Sequence, residues 1–307
     1  MNSVSIIIVN YNTKDLLAQC LNSIYDKTQG IDFEIIVVDN DSHDGSEELI
    51  KKDFSEVVFI QSGANIGFGR ANNLGIRQAK ANYIFLLNSD TILLNNAVRI
   101  LYDYMVINPK IGVCGGNLYD EKGKPTTSYS QLMPNIFYEI DSVFGGIYSK
   151  IIYSKSMFFN YSDEPMNIDG YISGADMMIR KSVLDEVGLF DSDFFMYYEE
   201  TELTWRIKEA GYKIASVPDA RIIHLEGASE IIKENTLRRM IKSKFLYFEK
   251  INKESYSQYS FFIFLFTAWS RIFFYYFRRN SNRVSYWLSC LELNRQEYKL
   301  YKESKKH

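Results

Sequence analysis

Along residues 1–110 the apolar positions switch repeatedly between two periods. Val4–Val9 is a short β-branched run, and Leu16–Tyr25 follows with helical spacing behind a candidate Thr13 cap. Glu34–Val38 is a second run, and Asp44 with Glu47 resembles a capping box for a helix that reaches Phe54. Val57–Gln61 predicts a third strand, Ala71–Lys80 a helix, Tyr83–Leu87 a fourth strand and Asn95–Met105 another helix. Strands apolar on both faces, alternating with helices, imply an α/β fold with a mostly parallel sheet covered on both sides.

Residues 120–170 lack a clear period and are rich in Tyr, Ser and Phe, which predicts an irregular, mobile loop region. Structure is legible again at Tyr171–Arg180, in a helix from Glu199 to Ala210, and at Arg221–His224, where an edge strand is expected. All five prolines lie at or before Pro218 and no glycine follows Gly227. Both strong helix breakers are then missing, so a helical tail is expected at 230–307 behind a body at 1–229.

Charge sharpens that division. The net charge is −3, from 35 Lys+Arg and 38 Asp+Glu. Sixteen of those bases and seven of those acids follow Gly227, a balance of +9 that leaves −12 on the preceding residues. An acidic body with a basic, aromatic tail argues against nucleic acid as a partner and fits an enzyme held at an anionic lipid surface. Within the tail, Tyr259–Phe277 is almost long enough to span a bilayer, but Arg271 interrupts it and Arg278, Arg279 and Arg283 follow. An interfacial helix fits better than a spanning one; a helix packed on the body or on a second subunit is the remaining alternative. Cys20, Cys114 and Cys290 are isolated, as expected of reduced thiols in a cytosolic protein. The run after Ser3 has no basic segment before it and reads as a first strand, not a signal peptide.

In a parallel sheet, ligands bind beyond the carboxyl ends of the strands. Tyr11 and Asn12, Asp39, and Asn88-Ser89-Asp90 all follow predicted strands and should converge on one edge. Asp90 is a hard oxygen ligand for a divalent cation, or else part of a capping turn. Asp39 could accept a base ring N–H with Tyr11 stacked beside it, or serve as a loop cap. In Asn65-Ile66-Gly67-Phe68-Gly69 two glycines permit close approach to a phosphate or sugar; the spacing is not the dinucleotide fingerprint, and Asn72 is equally a helix-surface amide. Glu199 and Glu200 follow the aromatic run Phe194–Tyr198, where desolvation raises a carboxylate pKa towards that of a general base; an acidic first helical turn is the alternative. His224, one of three histidines, is a structural residue or a ligand.

Taken in order, Val4–Asn12, Ile36–Asn40, Asn65–Phe68, Leu86–Asp90, Ser173-Gly174-Ala175, Gly188–Asp191 and Phe194–Arg206 resemble the family 2 glycosyltransferases. The likeness is greatest to the bacterial rhamnosyltransferase-like branch that builds surface polysaccharides, and it covers residues 4–229. It implies a GT-A fold and an inverting transfer of a sugar, rhamnose among the candidates, from a UDP- or dTDP-linked donor to a glycan or lipid-linked acceptor. By the same resemblance, Tyr11, Asn12, Asp39, Asn65, Gly67, Asn72, Asn88 and Ser89 line the nucleotide-sugar site. Asp90 and His224 hold Mg2+ or Mn2+, Glu200 is the catalytic base with Glu199 as the residue that shares or takes that role, and Gly174 and Asp176 lie on the acceptor side. Two motifs depart from the family pattern: Asn88 replaces a common Asp, and Glu199-Glu200-Thr201-Glu202 replaces Glu-Asp-x-Asp. The expected location is cytoplasmic, peripheral on the inner face of the membrane. A catalytically weak, membrane-associated scaffold that keeps the fold is the alternative.

Overall fold

A computed structural model describes residues 3–225, 234–251 and 253–305. The chain divides into two compact units. One comprises residues 1–133, 155–195 and 200–227; the other comprises 134–154, 196–199 and 228–307. The division expected at residue 229 lies outside the described residues.

The first unit begins with Val4–Asn10 (β1), Lys14–Lys27 (α1), Phe33–Asp39 (β2), Ser46–Asp53 (α2), Val58–Gln61 (β3) and Phe68–Gln78 (α3). Tyr83–Asn88 (β4), Thr91–Leu93 (β5), Ala97–Ile107 (α4), Ile111–Tyr119 (β6) and Tyr129–Ser130 (β7) follow. Two helices of the second unit, Ile136–Val143 (α5) and Ile147–Tyr153 (α6), then interrupt the chain. It returns through Met166–Ile168 (β8), Tyr171–Ile172 (β9), Asp176–Arg180 (β10), Lys181–Val187 (α7), Glu199–Glu209 (α8) and Lys213–His224 (β11).

Nine strands form one sheet in the order β3-β2-β1-β4-β10-β6-β11-β5, with β8 also on β11; β7 and β9 form a small second sheet. β3, β2, β1 and β4 are mutually parallel, and β10 enters antiparallel between β4 and β6. Side-chain alternation splits the core into two layers. Ile6, Ile8, Val37 and Phe85 pack with Leu17, Leu21, Val98 and Leu101 of α1 and α4. Ile7, Ile36, Val38 and Leu86 face Ile76 of α3, Leu184 of α7 and Leu203 of α8.

The local signals at the helix starts work differently from the sequence expectation. Thr13 makes no capping bond; Lys14 N, at the start of α1, donates instead to Asp44 Oδ2 at 2.8 Å. Gly45, in the left-handed region, is the cap of α2, and Asp44 Oδ1 receives Ser46 N at 3.1 Å. Arg221–His224 is not an edge segment, because β11 lies between β6 and β5. β6 was not expected, since Gly115-Gly116-Asn117 interrupts its apolar pattern. Both glycines are required by close packing: a Cβ on Gly116 would meet Ala220 O at 2.4 Å.

The second unit is helical, with Glu234–Lys250 (α9), Glu254–Phe277 (α10) and Ser281–Ser304 (α11) packed together and α5 resting on α10. Its core joins Ile241, Phe245 and Leu293, and the Phe261 and Tyr298 rings stack at 4.1 Å. Arg238 of α9 donates to Glu297 of α11 at 2.5 Å. The helical tail is as expected; α5 and α6 replace part of the loop expected over 120–170.

Candidate active site

Strand register places the candidate residues in one row. Asn10 of β1 pairs with Asp39 of β2, Asp39 with Gln61 of β3, and Val9 with Asn88 of β4. With neighbouring strands about 4.8 Å apart, the carboxyl ends from Gln61 to Asn88 span about 14 Å.

A polar network runs along that row. Asn10 Nδ2 donates to Asp39 Oδ1 at 2.8 Å and to Ser42 Oγ at 3.0 Å. Asp39 Oδ2 accepts from Ser42 N at 2.9 Å and Gln61 Nε2 at 3.1 Å. On the other side, Thr13 Oγ1 donates to Asn10 Oδ1 at 2.7 Å and lies 2.9 Å from Ser89 Oγ. Hydrogen bonds therefore connect the end of β3 to the turn after β4. Asn10 and Asp39 are buried, whereas Tyr11 is 48% exposed. Gln61 was missed in the sequence because it only ends an apolar run; its pairing with Asp39 is a register effect.

Past β4, Asp90 Oδ1 lies 3.3 Å from His224 Nε2, and Asn88 Nδ2 lies 3.4 Å from the same nitrogen. β5 folds back against β11, and Thr91 pairs with His224, which joins residues distant in sequence. A carboxylate oxygen and an imidazole nitrogen at this spacing fit one divalent cation. Among the described residues no cluster of three or more His, Cys, Asp or Glu side chains occurs. A cation held here would take its other ligands from phosphate oxygens or water.

Glu200 reaches the same edge through Gly174. Asn88 N donates to Ala175 O at 3.0 Å, which places the Ser173-Gly174-Ala175 turn beside β4's end. A Cβ on Gly174 would lie 3.7 Å from Glu200 Cβ and Cγ and 3.6 Å from Phe68 Cε1. Glu200 is half-buried, and desolvation raises its carboxyl pKa above the ordinary 4.5. The two tyrosines that precede α8, Tyr197 and Tyr198, have φ of 72° and 69°, a costly conformation for bulky residues.

The glycine loop has a structural reason. Gly67 has φ of 90°, and a Cβ there would sit 2.2 Å from Phe195 O. That carbonyl accepts Phe68 N, the first amide of α3, at 2.9 Å. Asn65 Oδ1 braces the loop from within, accepting Asn40 Nδ2 at 3.1 Å and Gly67 N at 3.2 Å.

Several expected site residues have other work. Asp176, expected on the acceptor side, is fully buried in β10; its Oδ2 accepts Gly116 N at 2.6 Å, and its Oδ1 has no hydrogen-bond partner among the described residues. Burial holds its pKa well above the usual carboxylate range. Asn72, expected at the nucleotide sugar, is buried and bonds Phe68 O of its own helix. Neighbouring Asn73 makes the long-range link, a reciprocal pair with the backbone of Phe190. Asn12 is left-handed, and its Oδ1 receives His43 N. Glu199 is buried, only 3% exposed. Glu202 forms a two-point pair with Arg206, whose guanidinium also donates to the carbonyls of Val187, Gly188 and Leu189.

Comparison with known proteins bears on the family and the fold. The model of glycosyl transferase family 2 matches residues 5–188. The low-salt glycan biosynthesis hexosyltransferase Agl10 of Haloferax volcanii is 26% identical over 234 residues, 73% of this chain and 67% of that protein. The N-acetylglucosaminyl-diphospho-decaprenol L-rhamnosyltransferase of Mycobacterium tuberculosis is 25% identical over 201 residues, 62% of this chain and 66% of that protein. The chain thus spans about two thirds of the length of these relatives. Among solved structures, a mannosyltransferase of Pyrobaculum calidifontis in complex with GDP-Man and Mn2+ superposes with a TM-score of 0.57. It is 14% identical, covering 95% of this chain and 74% of its own; at that identity the likeness concerns the fold.

Proposed function

The chain belongs to glycosyl transferase family 2 and has the GT-A fold, and from that premise we propose that it is an inverting transferase of a nucleoside diphosphate sugar. The carrying observation is the Asn88–Ala175 hydrogen bond, which joins the Asp90–His224 pair to the turn that lines Glu200. Cation site and base are thereby neighbours on one sheet edge.

In this reading Tyr11 stacks on the base, and Asp39 with Gln61 supplies the polar edge that meets it. Three of the four lone-pair positions on Asp39 are already used, so recognition of the base is shared with Gln61. Asp90 and His224 would hold Mg2+ or Mn2+, which neutralises charge on the departing diphosphate. Asn65 and Gly67 shape the loop along the donor, and Ser89 ties the cation turn to Thr13.

Glu200 accepts the proton of an acceptor hydroxyl as its oxygen attacks the anomeric carbon. The new C–O bond forms on the face opposite the breaking bond to the diphosphate oxygen, so configuration inverts. Desolvation suits Glu200 to this work, because a carboxylate with a raised pKa is a stronger base. A UDP- or dTDP-linked donor, rhamnose among the sugars, and a glycan or lipid-linked glycan acceptor are the finer reading. The two relatives support it, and their names place one in glycan biosynthesis and the other on a lipid diphosphate acceptor. Location at the cytoplasmic face of a membrane, with the tail 230–307 as tether, follows from the same reading and from the basic, aromatic tail.

A thermal-shift panel of UDP-, dTDP- and GDP-sugars with and without Mn2+ tests the proposal. One donor class should raise Tm by several degrees only with the cation, as expected for a ligand near 100 times its Kd. Absence of any donor-dependent shift, together with no release of nucleoside diphosphate, would refute it.

A further inference from the structure

The helical unit carries apolar surface that its own core does not use. On α10 the aromatic side chains of Tyr259, Phe262, Phe266, Trp269, Phe273 and Tyr276 are all exposed. They recur every three or four residues, so they form one stripe about 26 Å long. The opposite face holds the small residues Ser257, Ser260 and Ala268, which are buried in the unit.

The inserted helices repeat this pattern. Phe137, Phe144, Ile147 and Ile151 of the α5–α6 segment are between 58% and 80% exposed. Polar bonds hold the segment on the tail helices: Glu139 accepts Ser260 Oγ at 2.8 Å and pairs with Lys244 Nζ at 3.0 Å. Asp141, the other acid of these helices, turns inward and accepts Ser149 Oγ and the amides of Tyr148 and Ser149. Both carboxylates are thus occupied inside the unit.

Charge identifies what covers these surfaces. From Glu254 to Glu292 the chain contains four arginines and no intervening acid. Arg278 and Arg279 are exposed at the end of the aromatic stripe, and Arg278 lies over the Phe274 ring at 4.5 Å. Aromatic residues with arginines at their margin suit the boundary between anionic headgroups and acyl chains. A second copy docking the same face would bring arginines towards a surface with no acid of its own. Spanning is also disfavoured, although α10 is long and apolar enough to cross a bilayer. Its inner face packs on α9 and α11, and α11 would carry Glu292, Arg295 and Glu297 into hydrocarbon.

We propose that the helical unit docks on an anionic lipid bilayer through two elements together, the aromatic stripe of α10 and the exposed apolar residues of α5–α6. This rests on the peripheral membrane reading given above and deepens it by adding the inserted helices as a second contact. It is separable from the transferase reading, because lipid binding is measured without donor or acceptor.

The test is co-sedimentation of the full-length chain with phosphatidylcholine vesicles, with and without phosphatidylglycerol. Two triple variants are compared with wild type: F262S/F266S/W269S in α10 and F137S/F144S/I151S in α5–α6. All six side chains are exposed, so circular dichroism should be unchanged. Wild type should bind only the anionic vesicles and be released by alkaline carbonate, and each variant should lose at least about tenfold in partitioning. The proposal is overturned if wild type ignores the vesicles or resists carbonate extraction as a spanning protein does. It is equally overturned if the α5–α6 variant binds as wild type, or if light scattering shows that the substitutions only dissolve a dimer.

Discussion

Replacing Glu200 with Gln separates the base from everything else the side chain does. The amide keeps the methylenes that lie beside Gly174 and can still accept from Thr201 Oγ1, which is 3.4 Å from Glu200 Oε1. What disappears is proton acceptance, and a positioned general base contributes about 10²–10⁴-fold. That is a barrier increase of about 2.7–5.4 kcal/mol, from 1.36 kcal/mol per decade. Stability should move the other way. Burial raises the Glu200 pKa, so the folded state holds its proton more tightly than the unfolded chain. The carboxylate therefore costs stability as pH rises through the window above 4.5, and Gln removes that cost. Near neutral pH the variant should melt no lower than wild type, and any advantage should vanish on acidification below that window. The same shift places the acid limb of wild-type kcat/KM above the ordinary carboxylate value. The assay is nucleoside diphosphate release with donor affinity measured in parallel by calorimetry. Turnover above a tenth of wild type with unchanged donor affinity would remove Glu200 from the chemistry, and a larger loss in E199Q would reassign the base.

Other substitutions test the scaffold beneath the site. Gly67→Ala adds a Cβ 2.2 Å from Phe195 O at a φ of 90°, and should destabilise the protein by about 3–5 kcal/mol in urea titrations. A loss below 1 kcal/mol would show that the loop relaxes freely. Asp176→Asn removes a buried carboxyl whose pKa is raised by desolvation. Wild-type stability should fall relative to D176N as pH climbs from 4 to 8, because only the wild type must keep a proton there; parallel Tm curves would contradict the burial argument. Asp90→Asn should raise the Mn2+ concentration for half-maximal turnover by about 10–100-fold, with His224→Ala acting in the same direction. Identical metal titration curves would sever that pair from the cation.

The sequence alone determined the alternating α/β body, the helical tail and the order of the chemical groups along the chain. Strands buried on both faces need unbroken apolar runs, and those runs punctuated by polar turns are legible one-dimensionally, as in Val4–Asn10 and Tyr83–Asn88. It also marked Asp90, His224 and Glu200, because each lies at or just beyond the end of a predicted element. Tertiary structure decided which of the candidates share one sheet edge and which are engaged in packing or in bonds within the scaffold. Asp176 has the same carboxyl as Asp90, but insertion of β10 between β4 and β6 buries it completely. Gln61 meets Asp39 only through the β2–β3 register, and Glu202 becomes a clamp because Arg206 can gather three carbonyls beside it. The inserted α5–α6 pair was illegible for a related reason. Its apolar residues are largely exposed, so no core-facing period marks them, and their place is set by Glu139 meeting α9 and α10 more than a hundred residues away. Local patterns encode where an element exists; pairing, register and insertion fix what its side chains touch, and those depend on contacts between distant segments.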